Sequence, residues 1–188
     1  CFKYYIHSLI IIMKIKSLTI YCSASNKIDI KYFKMATEVA ELISNYEIKV
    51  IYGGGNVGLM GEIARTLIKL KTEVIGIIPK FLIKNEEANI KITHLKIVPN
   101  MSKRKENLFK LGDAFLILPG GTGTLEEVIE VLSWKILKLH NKPIIFLNFD
   151  NYWSPLLKQF DKIIENKFGN KNLQNQFQVI KNPKQLNK

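Results

Sequence analysis

Leu118-Pro119-Gly120-Gly121-Thr122-Gly123-Thr124-Leu125-Glu126-Glu127 is the stretch around which the rest of this chain is organised. The apolar run Asp113–Ile117 precedes it and has the length of a buried parallel strand, and Val128–Leu137 after it favours a helix. A strand, a glycine loop and a helix in this order let the backbone approach an anion, because glycines lack Cβ atoms and the first helical turn has free N–H groups. The stretch therefore predicts a phosphate-binding loop with a carboxylate beside it, for chemistry on a phosphorylated small molecule.

Apolar strand candidates alternate with amphipathic helix candidates on both sides of this stretch. Repeated βα units predict an α/β fold, a Rossmann-like, doubly wound and mostly parallel sheet in a single domain. Helices should cover both faces, and ligands should bind at the carboxyl ends of the strands. The candidate strands are residues 17–22, 49–52, 73–78, 95–98, 113–117 and 143–147. The candidate helices are residues 31–45, a segment ending at Leu70, and residues 103–111, 128–137 and 152–166. A polar, asparagine-rich tail follows the last of these helices.

The length of 188 residues is enough for one α/β domain and too short for two ordinary ones, so we expect one domain over residues 13–188. Residues 1–12 include an apolar patch that is too short to span a membrane, and no small-residue cleavage site follows it. Met13 resembles an ordinary start. We interpret residues 1–12 as a non-native or disordered leader translated upstream of the domain.

The chain carries a formal charge of +12, from 28 basic and 16 acidic residues. Such a balance can indicate nucleic acid or an anionic membrane as a partner. The lysines are scattered through every segment, however, and isoleucine, lysine and asparagine are the residues that AT-rich coding favours. We therefore expect neither nucleic acid nor membrane as a partner.

The two cysteines, Cys1 and Cys22, do not form a CxxC pair, and the three histidines lie far apart without ligand spacing. The sequence predicts neither a disulfide framework nor a metal site. A reducing compartment is favoured, and we expect the protein in the cytoplasm.

A second glycine loop, Gly53–Gly58, has the GxGxxG spacing of a dinucleotide-binding loop. A dinucleotide site would need an acidic residue at the end of the next strand, and that strand ends in Ile77-Ile78-Pro79-Lys80. The loop is therefore weak support for dinucleotide binding. Tight helix packing, with a shared role in nucleotide binding, is the favoured interpretation.

Several motifs resemble those of one family, and they occur in the family's order. Pro119–Glu127 matches the PGGxGTxxE signature of the LOG (Lonely Guy) family. Val50–Gly61 is similar to the family's VYGGGxVGLMG segment and Ile20–Ser25 to its YCGSS opening. Met101–Lys105 resembles its MHxRK segment, with Ser102 in place of the histidine. Members of this family cleave the base from nucleoside 5′-monophosphates, including cytokinin ribotides.

The resemblance implies hydrolysis of the N-glycosidic bond of adenosine 5′-monophosphate or an N6-modified form of it. The products would be the free base, adenine or a cytokinin, and ribose 5-phosphate, and no cofactor or metal is implied. Breaking this bond builds oxocarbenium character on the sugar, which a carboxylate can stabilise while it also activates water. Whether the preferred base is adenine or an N6-prenylated adenine stays open at this point.

The resemblance assigns the catalytic roles to Arg104 and Glu127. Arg104 is one of only two arginines among the 28 basic residues, and its planar fork can bind oxygen pairs as lysine cannot. Arg104 should hold the nucleotide, with Glu127 within ion-pair distance. Thr124-x-x-Glu127 also satisfies the capping-box pattern, which is a purely structural alternative. The substrate-binding residues implied by the resemblance are Glu86, Lys105, Gly121, Thr122, Gly123, Thr124, Leu125, Glu126 and Ser133.

Three other functions compete with hydrolysis. A non-catalytic carrier of a nucleotide or phosphorylated cofactor, such as the molybdenum cofactor carrier, shares this kind of fold and glycine loop. The lysine decarboxylase label sometimes attached to the family would need pyridoxal phosphate on a lysine, and no motif marks such a lysine. Nucleic-acid binding would rest on charge alone, without interleaved aromatic and basic residues.

The helix after the signature is apolar around more than one face, from Leu125 to Leu139. A helix that covers one side of a sheet needs a single apolar stripe, so a second stripe indicates another partner. Family members are dimers with helices packed across the two-fold axis. We therefore predict a homodimer with this helix, or the helix at residues 152–166, at the interface. A deeply buried central helix is the alternative.

Overall fold

One parallel β-sheet forms the centre of the protein. The structure is a computed structural model that describes residues 15–187. The predicted leader, residues 1–12, and the start at Met13 lie outside the described residues. The strands are β1 (Ser17–Tyr21), β2 (Lys49–Tyr52), β3 (Val74–Pro79), β4 (His94–Val98), β5 (Ala114–Ile117), β6 (Ile144–Leu147) and β7 (Gln178–Ile180).

The strand order is β4-β3-β2-β1-β5-β6-β7, and every neighbouring pair is parallel. From β1, in the middle of the sheet, the chain winds outward to β4, returns to β5 and winds outward on the other side. This reversal creates a crevice outside the carboxyl ends of β1 and β5, where open α/β sheets bind their ligands. The predicted α/β, doubly wound fold is confirmed.

Helices cover both faces of the sheet. The first two contribute residues such as Ala36 and Leu67 to the core on one face, and the other three contribute Leu108, Val131 and Phe160 on the opposite face. No helix between residues 15 and 187 is long and apolar enough to cross a membrane. The helices are α1 (Ile30–Ser44), α2 (Gly58–Lys69), α3 (Met101–Leu111), α4 (Thr122–Ile136) and α5 (Ser154–Glu165).

Helix α4 begins six residues earlier than the sequence predicts. Its N-cap is Gly121, so Thr122–Thr124 form its first turn. Thr124 is buried inside this turn and caps nothing, so the capping-box alternative is wrong. Glycine and threonine are weak helix formers, which is why local preference does not indicate the turn. A Cβ on Gly120 would overlap the side chain of Thr124, so packing across the loop accompanies the early start.

The predicted polar tail contains the seventh strand. β7 pairs with β6, and the Asn148 N–H donates a hydrogen bond to the carbonyl oxygen of Ile180 at 2.7 Å. Phe177 and Ile180 are buried against the sheet. A three-residue strand with so few apolar positions gives too short an alternation to be recognised from sequence.

Strands β4 and β7 are the two edges of the sheet. His94, Lys96 and Ile97 of β4 are exposed, whereas the central strands β1 and β5 are buried along their whole length.

Candidate active site

A cavity of about 440 Å³ opens at the carboxyl ends of β1 and β5, the position that the strand order predicts for a ligand. Its volume is in the range of small-molecule sites. Seven of the residues that the sequence predicts for the site line this cavity, namely Glu86, Arg104, Gly121, Thr122, Gly123, Thr124 and Glu127. The other lining residues are Ile20, Tyr21, Cys22, Ser23, Ala24, Ser25, Gly53, Met60, Leu82 and Met101.

The N-terminus of α4 forms one wall of the cavity. No side chain caps this helix, and the N–H groups of Thr122–Thr124 have no partners within it. Beyond the local backbone, a Cβ on Gly121 or Gly123 would meet no atom of the described residues within 4 Å, and neither glycine has a positive φ. The protein's own packing therefore does not require glycine at these two positions. Their lack of a side chain leaves room for a ligand beside a helix end that favours anions.

The second glycine loop differs, because protein groups already occupy the N-terminus of α2. The Gly58 N–H donates to Asn26 Oδ1 at 2.7 Å, and the Leu59 N–H donates to the carbonyl oxygen of Ser23 at 2.9 Å. Gly58 has φ +58°, and a Cβ there would lie 2.6 Å from backbone atoms of residues 24 and 25. Close packing explains this glycine. The loop has no free helix end for a dinucleotide phosphate.

The glycines before α2 make room for two residues of the cavity. A Cβ on Gly53 would overlap the guanidinium group of Arg104. A Cβ on Gly55 would lie 2.9 Å from the carbonyl oxygen of Glu86, to which the Asn56 N–H donates at 2.8 Å. The second glycine loop thus accommodates Arg104 and Glu86, and it serves the site through packing.

Arg104, on α3, is 6% exposed and forms a two-pronged ion pair with Glu86. Its Nη1 and Nη2 atoms each lie 3.3 Å from a carboxylate oxygen of Glu86. The expectation that Glu127 pairs with Arg104 is wrong: of the described acidic residues, Glu86 is the one within ion-pair distance. The Nε atom of Arg104 has no hydrogen-bond partner among the described residues. An unpaired buried N–H costs free energy, so a ligand that accepted this hydrogen bond would bind more tightly.

Glu127 is half-buried on the face of α4 that lines the cavity. It makes no hydrogen bond or ion pair with another residue of the described range. Burial raises the pKa of its carboxyl group to about 7, while the nearby charge of Arg104 lowers it. A carboxyl group with this pKa can exchange a proton at neutral pH, as general acid–base catalysis requires.

Four residues predicted to bind substrate lie outside the cavity. Lys105 forms ion pairs with Glu126 and Glu130 on the outer side of α3 and α4. Leu125 packs against the core, and Ser133 lines a separate cavity of about 470 Å³ between α4 and the segment that follows α5. Residues one apart on a helix point in different directions, so Glu126 and Lys105 do not share the cavity-lining faces of Glu127 and Arg104. Their substrate-binding roles stay predictions.

Sequence reasoning missed the contribution of the residues at the carboxyl end of β1 and just after it. Tyr21, Cys22 and Ser23 line the cavity, as do Leu82 and Met101 on the opposite side. A signal for the first three existed, because they end a central strand and resemble the family's YCGSS opening. Burial, and then the charge of Glu127, raises the pKa of the Cys22 thiol, which favours its protonated form at neutral pH.

The cavity combines three kinds of group that could act together on a phosphorylated molecule. Uncapped N–H groups at a helix end favour an anion, Arg104 supplies a fixed positive charge, and Glu127 supplies a carboxyl group that titrates near neutral pH. Within residues 15–187, no three His, Cys, Asp or Glu side chains are grouped so that they could hold a metal ion.

The sequence matches one family model, described as a possible lysine decarboxylase, over residues 60–188. A cytokinin riboside 5′-monophosphate phosphoribohydrolase of Arabidopsis thaliana is 38% identical over 155 residues, which are 82% of this chain and 73% of that protein. The protein of that name from Rhodococcoides fascians is 41% identical over 147 residues, which are 78% of this chain and 74% of that protein.

Among solved structures, the molybdenum cofactor carrier protein of Chlamydomonas reinhardtii has a TM-score of 0.68. Its sequence is 16% identical, and the match covers 90% of this chain and 91% of the carrier protein. The molybdenum cofactor binding protein of Rippkaea orientalis has a TM-score of 0.61 at 21% identity, with 90% of each chain covered. These two likenesses establish a shared fold alone. The sequence relatives and the matching family model, together with the signature motif at the cavity, show that this chain belongs to the LOG family.

Proposed function

We propose that this protein hydrolyses the N-glycosidic bond of adenosine 5′-monophosphate, or of its N6-modified forms, to the free base and ribose 5-phosphate. The observation that carries the proposal is the position of Glu127. This unpaired carboxyl group shares one cavity with the buried guanidinium of Arg104 and the uncapped end of α4. The names of the relatives with 38–41% identity support the same reaction.

In the proposed reaction, the 5′-phosphate binds the N–H groups of Thr122–Thr124. This binding energy positions the sugar carbon that bears the base. The bond between that carbon and the base nitrogen breaks, and its electron pair leaves with the base. Ionised Glu127 stabilises the positive charge on the sugar and takes a proton from the attacking water, whose hydroxyl bonds to the sugar carbon. The base nitrogen gains a proton, so water is divided between the two products.

Arg104 supplies a fixed positive charge for the nucleotide. Its pair with Glu86 keeps the guanidinium in one orientation, and its free Nε donates to the bound substrate. The main role of Glu86 is therefore to orient Arg104.

A product assay with AMP, GMP, CMP and isopentenyladenosine monophosphate in parallel tests the proposal. We expect base release from AMP or its prenylated form. Adenosine should be cleaved at least ~100-fold less efficiently, because it lacks phosphate contacts that are each worth about 1.5–3 kcal/mol. No base release from any of the four nucleotides would refute hydrolysis and leave a carrier as the alternative. Equal kcat/KM for adenosine and AMP would refute the role of the α4 N-terminus.

Decarboxylation of lysine receives no support from the cavity. Pyridoxal phosphate would need a lysine amine for its Schiff base, and no described residue that lines the cavity is a lysine. Absorbance at the Schiff-base band after incubation with pyridoxal phosphate would separate this activity from hydrolysis.

We also propose a homodimer that uses the second apolar face of α4. Leu137 and Phe168 are 68% and 85% exposed, and Ile136 beside them is also exposed. The 470 Å³ cavity that Ser133 lines is bordered by Ile136 and Phe168. Ile136 and Phe168 are exposed beside one another at this cavity, and a contiguous exposed apolar surface is typical of a protein interface. Light scattering should show a dimer at micromolar concentration, and Leu137→Lys should weaken it, while Leu70→Lys on exposed apolar surface of α2 should not. A fully active wild-type monomer would contradict the dimer.

We place the protein in the cytoplasm. The described cysteine, Cys22, is a buried free thiol, which suits the reducing compartment that the sequence favours. Fractionation of cells that express a tagged chain would test this location.

A further inference from the structure

Tyr152 contacts the signature loop from outside the cavity. Its hydroxyl donates a hydrogen bond to the carbonyl oxygen of Gly120 at 2.6 Å. Tyr152 does not line the cavity, whereas Gly121, the next residue after its partner, does. The tyrosine is therefore placed to influence the loop without touching a ligand.

The turn that presents Tyr152 is held in an uncommon conformation. Asp150 and Asn151 have φ of +52° and +57°, in the left-handed region that residues other than glycine seldom adopt. Asp and Asn adopt this region more readily than other side chains, and local contacts hold the turn in it. Here Asn148 Oδ1 accepts a hydrogen bond from the Trp153 N–H at 2.7 Å, and Asp150 pairs with Lys31. These contacts fix where the backbone of Tyr152 lies.

The hydrogen bond also fixes one peptide plane of the loop. In a trans peptide the C=O and the following N–H point in opposite directions. Because the carbonyl of Gly120 faces Tyr152, the N–H of Gly121 points away from Tyr152. The two residues on either side of this peptide are both glycines, so no Cβ restrains its rotation. The tyrosine hydroxyl supplies the restraint that side chains within the loop do not.

We propose that Tyr152 is a positioning residue for the phosphate-binding loop, because it keeps the Gly120–Gly121 peptide in the orientation that presents the Gly121 N–H to the phosphate. The inference rests on the proposed function only in that the ligand carries a 5′-phosphate. Without the hydroxyl the peptide rotates between orientations. Only one of them binds phosphate, so the observed affinity for phosphate decreases.

Tyr152→Phe removes the hydroxyl and keeps the ring, and Tyr32→Phe is the matched control. The ring of Tyr32 lies against that of Tyr152, with centroids 6.2 Å apart, and its hydroxyl donates no hydrogen bond to a described residue. Calorimetric titration with ribose 5-phosphate, which is not hydrolysed, measures binding apart from catalysis. We expect Kd to rise about fivefold in Tyr152→Phe, the factor expected for one intramolecular hydrogen bond, and to stay unchanged in Tyr32→Phe.

Three further measurements separate positioning from a general loss of structure. The amide resonance of Gly121 should move in Tyr152→Phe and not in Tyr32→Phe. Both variants should unfold cooperatively, and the Tm of Tyr152→Phe should be lower by only about 1–6 °C, because a single hydrogen bond is worth about 0.5–1.5 kcal/mol. For AMP, the loss in Tyr152→Phe should be mainly in KM, and kcat/KM for adenosine should hardly change.

Wild-type affinity for ribose 5-phosphate in Tyr152→Phe would overturn the inference and leave the proposed function intact. If wild-type protein bound neither ribose 5-phosphate nor AMP, the phosphate-binding loop and this inference would fail together. Binding without base release would refute hydrolysis alone.

Discussion

Gly123→Ala should make the protein more stable and less active. Gly123 is the second residue of α4 and lines the cavity, and a Cβ there would meet no atom of residues 15–187 within 4 Å beyond the local backbone. Alanine therefore adds no clash and removes the entropic cost of glycine in a helix. The expected gain is about 0.5–1 kcal/mol in the free energy of unfolding, or about 1–4 °C in Tm for a chain of this size.

The same methyl group would stand where the proposed phosphate approaches the first turn. Loss of one charge-assisted hydrogen bond to phosphate costs about 1.5–3 kcal/mol, which is about a 10- to 150-fold decrease in kcat/KM for AMP. Adenosine lacks the phosphate, so its kcat/KM should change much less. The ratio of kcat/KM for AMP to kcat/KM for adenosine should therefore decrease.

Thermal unfolding and the product assay on the same preparations test both halves of this reasoning. Gly61→Ala, in the first turn of α2, is the matched control, because its Cβ would overlap the backbone carbonyl of Asn56 and should lower Tm. If Gly123→Ala kept the wild-type kcat/KM for AMP, the lack of a side chain at this position would not be needed to make room for a ligand. A decrease in Tm of several degrees would show that packing requires it after all.

The remaining predictions concern the charged groups and metals. The kcat/KM for AMP should rise as pH increases through about 7, because burial raises the pKa of Glu127 and the ionised form is the proposed catalyst; a flat profile from pH 6 to 8 would contradict this role. Glu127→Gln should abolish base release and raise Tm at pH 8 but not at pH 4, since the folded-state pKa lies above the unfolded value and ionisation destabilises the wild-type fold; turnover like that of wild type would refute the assignment. Arg104→Lys keeps the charge but loses the two-pronged contact with Glu86, so activity should fall strongly. Retention of wild-type kcat/KM would show that the paired donors of the guanidinium group are not required. Activity should survive EDTA, and loss of activity that a divalent cation restored would reveal a metal requirement.

The fold could be predicted because its signals are local. Alternating strand and helix patterns are enough to indicate βα units, and right-handed crossovers then require a parallel sheet covered on both faces. The elements that escaped prediction depend on distant partners. β7 is three residues long and exists through its pairing with β6, and the first turn of α4 consists of poor helix formers.

The site could be predicted in part for the same reason. The signature loop, Arg104 and Glu127 lie in motifs that are continuous in sequence, and the structure brings them to one cavity. The pairing of Arg104 with Glu86 could not be read from sequence, because it depends on how the segment before β4 packs over the second glycine loop. Spacing within a motif also does not reveal which face of α4 a residue occupies, so Leu125 and Ser133 lie elsewhere.

The exposed strand β4 bears on how copies of this protein avoid aggregation. An open sheet edge offers unpaired backbone groups to any other strand, and natural proteins discourage such pairing with short edges and charged side chains. β4 has five residues and carries Lys96 near its middle. Two such edges in register would bring like charges together, which disfavours a sheet that continues from one molecule into the next. The lysine-rich composition attributed to coding bias thus has a protective effect at this edge, and it leaves helical surfaces as the favoured route to ordered association.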